Sequence, residues 1–293
     1  MSFRFWLGRY SDECYLSSVE LIASHGEIQI WYDPRPSELC VVTFSHMDFA
    51  QTGAVYWGRQ TLERIGVSAV GVVCMANSWF PQRDIAAALK QSRQTWRHHE
   101  QIVAYGSSMG GFGALRYGRA FGARAAIGLA PQVSIKPRHC HPSDHRYDAY
   151  NNPADVLGRS VRWWHLPQHA FAIFDPHEPL DTFQANMLRR RAANSHLVAA
   201  PYMGHEIANL LSAGSLRAIL DAATAGDVAT FRCLIQDCRR ASYRRALGVA
   251  AHLRDRRPSL ANAIAHSQWI DLNPYWRGWW LSRGGSAPPE TNT

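Results

Sequence analysis

The sequence contains very little lysine and no long apolar run. Of its 31 basic residues only Lys90 and Lys136 are lysines, so 29 arginines stand against 23 acidic residues and the formal net charge is +8. Such one-sided usage fits a codon bias at least as well as a binding surface, so we do not expect nucleic acid to be the main partner. No stretch approaches the ~20 apolar residues of a membrane-spanning helix. We therefore expect no membrane span.

The six cysteines show no paired spacing, and the N-terminus does not resemble a signal peptide. Cys40 and Cys74 fall in apolar runs, where a free thiol behaves as a small hydrophobic side chain. Arg4 and Arg9 interrupt the short apolar stretch at the N-terminus, and no small-residue cleavage site follows. These features favour a reduced, cytoplasmic location, although an export system that reads no N-terminal signal is compatible with them.

The pattern of apolar residues predicts an α/β protein. Apolar residues make up 46% of the 293 residues and charged residues 18%, which is typical of an ordered globular chain. Three strand-like runs between residues 18 and 48 predict an antiparallel meander. From about residue 53 strands alternate with helices, which predicts a mostly parallel sheet with helices on both faces. The count gives eight strands, of which the fourth to the eighth carry the helices.

Two regions depart from this alternation. One lies within the predicted catalytic body, residues 1–214, and the other follows it. Residues 131–167 are too long for an ordinary connection and predict a lid-like insertion. Residues 215–283 contain helical patterns and no further strand, so we expect a helical C-terminal extension, without a plausible core of its own, that packs on the body. Residues 284–293 predict a disordered tail. The extension is rich in arginine, which we interpret as a solvated face; a protein partner or self-association is the alternative.

The main chemical signal is the run Gly106-Ser107-Ser108-Met109-Gly110, which stands between an apolar strand and a helix. A nucleophile at a tight strand-to-helix turn needs small neighbours, because larger side chains would collide with the adjacent strand and helix. The turn would lift the Ser108 hydroxyl above the carboxyl edge of the sheet, where ligands bind in open α/β folds. We interpret Ser108 as a nucleophile; a serine that only caps the helix is the alternative.

The strand order, the motif YGSSMGG around Ser108 and the later acid and histidine positions together resemble the α/β-hydrolase superfamily. The resemblance covers roughly residues 15–213. It implies an eight-stranded sheet, a triad of nucleophile, histidine and acid, and a lid inserted after the sixth strand, where residues 131–167 fall. An enzyme of this kind requires no metal and no organic cofactor.

The predicted base and acid follow the last two strands. His205 comes directly after the final strand, and Gly204 lets the loop turn so that the imidazole can reach Ser108. Three carboxylates compete for the acid role. Asp175 lies at the tip of the seventh strand and is the commoner residue type, whereas the usual superfamily spacing favours Glu178. Asp181 precedes a helix, where we expect it to act as an N-cap.

The predicted oxyanion hole requires two N–H donors aimed at a tetrahedral intermediate. One should be the backbone amide of Met109, directly after the nucleophile. The other should come from the loop after the third strand, where Ser45-His46 stands in the place of a His-Gly pair in many relatives. We therefore expect the amide of His46 or Met47 as the second donor.

Two further groups of residues are candidates for substrate or metal contacts. Trp79, Phe80, Trp163 and Trp164 could form an aromatic substrate-binding wall, with ordinary core packing as the alternative. The segment 138–145 contains histidines and a cysteine, but it lacks a second spaced pair of ligands. We interpret this segment as part of the lid or pocket rim and expect no metal.

The sequence thus predicts a serine hydrolase that cleaves a carboxylic ester or thioester of a small molecule, glycan or lipid through an acyl-enzyme. An acyltransferase would use the same residues with an alcohol acceptor in place of water. A non-catalytic binding or scaffold protein, working through its helical tail, is the second alternative.

Overall fold

The computed structural model describes residues 19–151, 159–269, 272 and 274–288. The N-terminal stretch with Arg4 and Arg9 and the last part of the predicted tail, 289–293, lie outside the described residues.

The described part of the chain forms a sheet of eight strands, as predicted. The spatial order of the strands is β1-β2-β4-β3-β5-β6-β7-β8, and the pairs from β4 through β8 are parallel. β1 and β2 join this sheet in antiparallel pairings. The strands are β1 (Glu20–His25), β2 (Ile28–Asp33), β3 (Leu39–Phe44), β4 (Ser68–Cys74), β5 (Gln101–Ser107), β6 (Ala125–Leu129), β7 (His169–Phe174) and β8 (Ser195–Ala199).

The predicted antiparallel meander is wrong at its third strand. β3 does not pair with β2 but lies between β4 and β5, parallel to both. All six residues of β3 are buried, so this strand needs a neighbour on each side and cover on both faces. The connection from β2 to β3 passes Arg35, whose backbone N–H and carbonyl both hydrogen-bond the Ser68 hydroxyl at the start of β4. This contact holds the connection at the start of β4, so that β3 lies on the side of β4 opposite to β2.

Helices cover both faces of the sheet. One core contains Ile85 of α2 and Phe112 of α3, and the core on the opposite face contains Leu62 of α1 and Ile219 of α5. No helix among the described residues is both long and apolar enough to cross a membrane. The helices are α1 (Arg59–Arg64), α2 (Gln82–Ser92), α3 (Met109–Tyr117), α4 (Pro179–Arg191), α5 (Ala213–Ala225), α6 (Val228–Ala241), α7 (Tyr243–Leu253), α8 (Pro258–Ser267) and α9 (Pro274–Ser282).

The packing of the C-terminal helices differs from the prediction of one extension from residue 215 without its own core. α5 and α6 belong to the body, because their apolar residues join the second core; the Phe231 ring stacks 4.0 Å from that of Phe171 in β7. α7, α8 and α9 share a smaller third core around Leu247 and Trp280. Ser286, within the predicted tail, accepts a hydrogen bond from the Trp280 indole. The end of the chain is therefore tied to this third core as far as Ser286.

Candidate functional site

Ser108 occupies a strained turn between β5 and α3. Its φ of 53° and ψ of −116° are unfavourable for a residue with a side chain, and such strain is concentrated at functional sites. The backbone on both sides is closely packed: a Cβ at Gly106 would overlap the carbonyl of Gly110, and a Cβ at Gly110 would overlap the carbonyl of Phe44. The glycines are therefore required by steric contact, as the motif predicted.

Ser108 is joined to His205 and Asp181 by two consecutive hydrogen bonds. His205 Nε2 lies 3.0 Å from Ser108 Oγ, and His205 Nδ1 lies 2.7 Å from Asp181 Oδ2. A carboxylate only accepts, so Nδ1–H donates to Asp181 and leaves Nε2 free to accept the serine proton. The imidazole is 32% exposed, whereas the Asp181 side chain is 3% exposed. The arrangement can therefore remove a proton from a partly accessible serine.

The carboxylate beside His205 is neither of the two that the sequence favoured. Asp175 is buried and accepts the backbone N–H groups of His177 and Gly204, so it supports the turn that precedes the histidine. Glu178 is the residue before α4, and no hydrogen bond joins it to His205. Burial raises the pKa of Glu178, and the charges of Asp181 and Asp175 raise it further.

The predicted N-cap role of Asp181 is also wrong. Pro179 begins α4, so Asp181 lies inside the first helical turn rather than before it. At this position its side chain is buried and directed at His205. Sequence spacing from the end of β7 could not show this, because the start of α4 decides which of the three carboxylates turns inward.

Asp181 also contacts Arg146, which comes from the segment 131–167. Arg146 Nη1 lies 3.2 Å from Asp181 Oδ1, and Arg146 Nε and Nη2 bind both oxygens of Asp144 at 2.8 and 3.1 Å. Burial lowers the pKa of Arg146, but the hydrogen bond to Asp144 and the nearby carboxylate charges outweigh it and raise the pKa overall. One arginine thus holds two buried carboxylates, one of them the partner of His205.

The segments that carry the predicted oxyanion donors are the start of α3 and the loop after β3. Met109 is the first residue of α3, where backbone N–H groups have no partner within the helix. A Cβ at Gly110 would overlap the carbonyl oxygen of Phe44 and approach that of Ser45, so the start of α3 lies against the end of β3 just before His46 and Met47. Ser45 is held in place by the N–H of Cys74, which donates to its hydroxyl. The donor roles of Met109, His46 and Met47 stay predictions.

Two polar residues beside Ser108 were not among the predicted site residues. Gln132 is fully buried, and its Nε2 lies 3.3 Å from Ser108 Oγ and 3.1 Å from the hydroxyl of Tyr147. Burial raises the pKa of Tyr147, so this hydroxyl stays protonated. Gln132 is the third residue after the end of β6, and its position at the carboxyl edge of the sheet was the signal that could have pointed to it.

Neither a protein-family model nor a curated protein sequence matches the chain. Among solved structures it is similar to an α/β serine hydrolase without a lid from Xanthomonas campestris, at 15% identity and a TM-score of 0.46, over 72% of this chain and 94% of that one. It is also similar to a thermophilic esterase from Thermogutta terrifontis, at 15% identity and a TM-score of 0.44, over 79% of this chain and 95% of that one. A third similar structure is the capsule O-acetyltransferase of Neisseria meningitidis serogroup A, at 13% identity and a TM-score of 0.46, over 73% of this chain and 92% of that one.

These similarities are distant, so we assign the fold from the strand order and from the strained turn at Ser108. The chain has the α/β-hydrolase fold. Within this fold the segment 131–167 follows the sixth strand, and it reaches the site through Gln132, Arg146 and Tyr147.

The four predicted aromatic wall residues separate into two groups in this α/β-hydrolase fold. Trp79 is buried and packs its ring 4.9 Å from that of Tyr147, so it supports the site from behind. Phe80 is a core residue, fully buried and 5.4 Å from the ring of Phe44. Trp163 and Trp164 do not line the site: both are exposed, and they lie beyond the far end of α3, where Arg119 donates to the Trp164 carbonyl.

The described residues contain no group of three or more His, Cys, Asp or Glu side chains arranged to hold a metal ion. Within segment 138–145, His139 instead contacts the Ser134 hydroxyl, His141 the Ser143 hydroxyl and His145 the carboxylate of Asp148.

Proposed function

We propose that the protein is a serine hydrolase that cleaves a carboxylic ester or thioester through an acyl-enzyme. The observation that carries this proposal is the continuous hydrogen-bonded chain from Ser108 through His205 to Asp181. A serine hydroxyl is a poor nucleophile at neutral pH, and a histidine oriented by a carboxylate supplies the base that it needs.

The reaction begins when His205 Nε2 takes the proton of Ser108 while Oγ attacks the ester carbonyl. The resulting oxyanion accepts hydrogen bonds from the amide of Met109 and from an amide at His46 or Met47. His205 then gives its proton to the leaving oxygen or sulfur, and the alcohol or thiol departs. Water, deprotonated by His205, attacks the acyl-serine and releases the acid, so that serine and imidazole return to their starting state.

Asp181 stabilises the imidazolium that forms in both steps and keeps Nδ1 protonated. Its burial strengthens this interaction, because little water competes for the carboxylate. Arg146 holds the second oxygen of Asp181, so the carboxylate has a fixed orientation.

Labelling with a fluorophosphonate probe tests the proposal. The wild-type protein should form a covalent adduct on Ser108, and Ser108→Ala and His205→Ala should abolish it. A wild-type adduct that persists in Ser108→Ala would contradict the proposed nucleophile. An unlabelled wild-type protein that folds normally would support a binding protein instead.

Product analysis then separates hydrolysis from transfer. Incubation of an aryl acetate with and without an alcohol acceptor should give acetate as the main product in both cases. A predominant ester of the added alcohol would show that the protein is an acyltransferase with the same nucleophile.

A further inference from the structure

A cavity of about 350 Å³ is lined in part by His205, whereas Ser108 is not among its lining residues. Its walls come from the loop after β7, the loop that carries His205, and helices α7 and α9. α7 packs tightly on the histidine loop, because a Cβ at Gly248 would overlap the carbonyl of Tyr202. The C-terminal helices therefore form one wall of the cavity, and the loop that carries His205 forms another.

Arg244 of α7 brings a buried positive charge to this cavity. The residue is 5% exposed, and its guanidinium lies 3.8 Å from the ring of Trp276 and 4.6 Å from that of Trp279. Its Nε and Nη1 atoms are buried without a hydrogen-bond partner. Its Nη2 lies beside Gly204, the residue before His205. Cation–π contacts stabilise the charge only in part, and a buried cation without an anion is costly.

Arg283 adds a second guanidinium at the same cavity, 4.1 Å from the ring of Trp279. Trp279 thus contacts two arginines, and neither forms an ion pair with a carboxylate among the described residues. Burial lowers the pKa of Arg244; the charge of Glu206 opposes this effect in part, and the charge of Arg283 adds to it. Two nearby like charges without a bound anion repel each other.

Asp175, Glu178 and Glu206 also line the cavity, but none of them lies within ion-pair distance of either arginine. Asp175 accepts two backbone N–H groups, and Glu206 accepts the hydroxyl of Tyr275 at 3.0 Å. The N–H groups of the two guanidinium groups that face the cavity can therefore bind an anion from solution.

We propose that this cavity binds a carboxylate or phosphate group on the alcohol part of the ester. The inference depends on the proposed function, because His205 must give its proton to the leaving oxygen. The leaving alcohol therefore lies on the His205 side of Ser108, while the acyl group stays on the serine. An alcohol with an anionic substituent can extend from His205 into the cavity, where Arg244 and Arg283 receive the anion through charge-assisted hydrogen bonds.

Matched aryl acetates test the inference. The anionic substrates are 4-acetoxybenzoate and 4-acetoxyphenyl phosphate, and the neutral substrate is the methyl ester of 4-acetoxybenzoate. The readout is the kcat/KM ratio of anionic to neutral substrate, measured for the wild type and for Arg244→Met, Arg283→Met and the control Arg240→Met. Arg240 lies on α6, exposed and paired with Asp237.

The ratio should fall by ~10-fold or more in Arg244→Met and Arg283→Met, because each removes a charge-assisted contact, and Arg240→Met should keep the wild-type ratio. A larger loss with one anionic substrate would show whether carboxylate or phosphate is preferred. Equal ratios in all four proteins would overturn the inference. Arg283 is exposed, so its variant remains informative if Arg244→Met does not fold.

Binding provides a readout that does not depend on turnover. Calorimetric titration of Ser108→Ala with 4-hydroxybenzoate or inorganic phosphate should show binding, and the added Arg283→Met change should abolish it. Binding that persists without Arg283 would contradict the site. Normal fluorophosphonate labelling without any anion effect would overturn this inference alone, whereas absent labelling would overturn the proposed function itself.

Discussion

Asp181 Oδ2 lies 2.7 Å from His205 Nδ1, although Asp181 is six positions beyond the carboxylate at the tip of β7. The carboxylate at the strand tip, Asp175, instead holds the backbone of Gly204. Two carboxylates therefore support the same histidine in different ways: Asp181 contacts the ring, and Asp175 fixes the loop that carries it.

Substitution of the three carboxylates should separate these roles. Asp181→Asn keeps the shape of the side chain but stabilises the wrong imidazole tautomer, so kcat should fall by ~10⁴-fold. Asp175→Asn and Glu178→Gln should have much smaller effects, because neither side chain touches the ring. The measurement is kcat on an aryl acetate with circular dichroism as a folding control. A large loss in Glu178→Gln with a mild loss in Asp181→Asn would contradict the assignment.

Replacement of Arg146 should lower turnover without removing a substrate contact. In Arg146→Met, Asp181 loses the group that holds its second oxygen, so kcat should fall by ~10- to 100-fold with little change in KM. Arg146→Lys should restore part of the loss, because it keeps the charge but not the fork that binds both carboxylates. Arg138→Met, an exposed arginine in the same segment, is the control. A 10- to 100-fold rise in KM with constant kcat would instead indicate a substrate-binding role.

The same substitution at two glycines should have opposite effects. Gly110→Ala would force a methyl group into the carbonyl of Phe44 and displace the turn at Ser108, so the variant should lose fluorophosphonate labelling or unfold. Gly278→Ala, in α9, meets no atom within 4 Å and should stabilise the helix by ~0.5–1 kcal/mol. Labelling rates and thermal unfolding check both. An active, stable Gly110→Ala protein would show that the contact is not limiting.

Stability should fall as the pH drops below the range where histidine titrates in an unfolded chain. Burial, with the charges of Arg116 and Arg162, lowers the pKa of His165 from 6.5 to about 3. Between these two values the unfolded state binds a proton that the folded state does not, so the free energy of unfolding decreases as the pH falls from 6.5 toward 3.

His165→Asn should reduce this pH dependence. The asparagine carbonyl can still accept the Arg162 N–H, which donates to His165 Nδ1 at 2.9 Å, but it cannot titrate. Urea unfolding at about pH 7 and about pH 5 provides the comparison. His252→Asn, at an exposed position, is the control. An unchanged slope in His165→Asn would show that this histidine does not couple protonation to folding.

The local sequence was sufficient to predict those features that depend on steric contacts between residues close together in the chain. The strand–glycine–serine–glycine–helix pattern predicted the turn at Ser108, because neighbouring backbone leaves no room for side chains there. The alternation of strand-like and helical runs predicted the parallel sheet, since strands buried on both faces are almost entirely apolar. The predicted meander was wrong at β3 because the sequence pattern identified the strand but not the strands that pair with it.

The tertiary structure alone decided contacts between segments distant in sequence. Which carboxylate reaches His205 depends on where α4 begins, and whether Arg146 and Gln132 enter the site depends on how residues 131–151 fold beside the sheet edge. α5 and α6 join the body through apolar contacts such as the stacking of Phe231 on Phe171, which is distant in the sequence. Sequence by itself determined the strands and the strained turn that carries Ser108, because those follow from local backbone geometry and periodicity. The hydrogen-bond partners of Ser108 were decided by packing, because they depend on distances that only the folded chain defines.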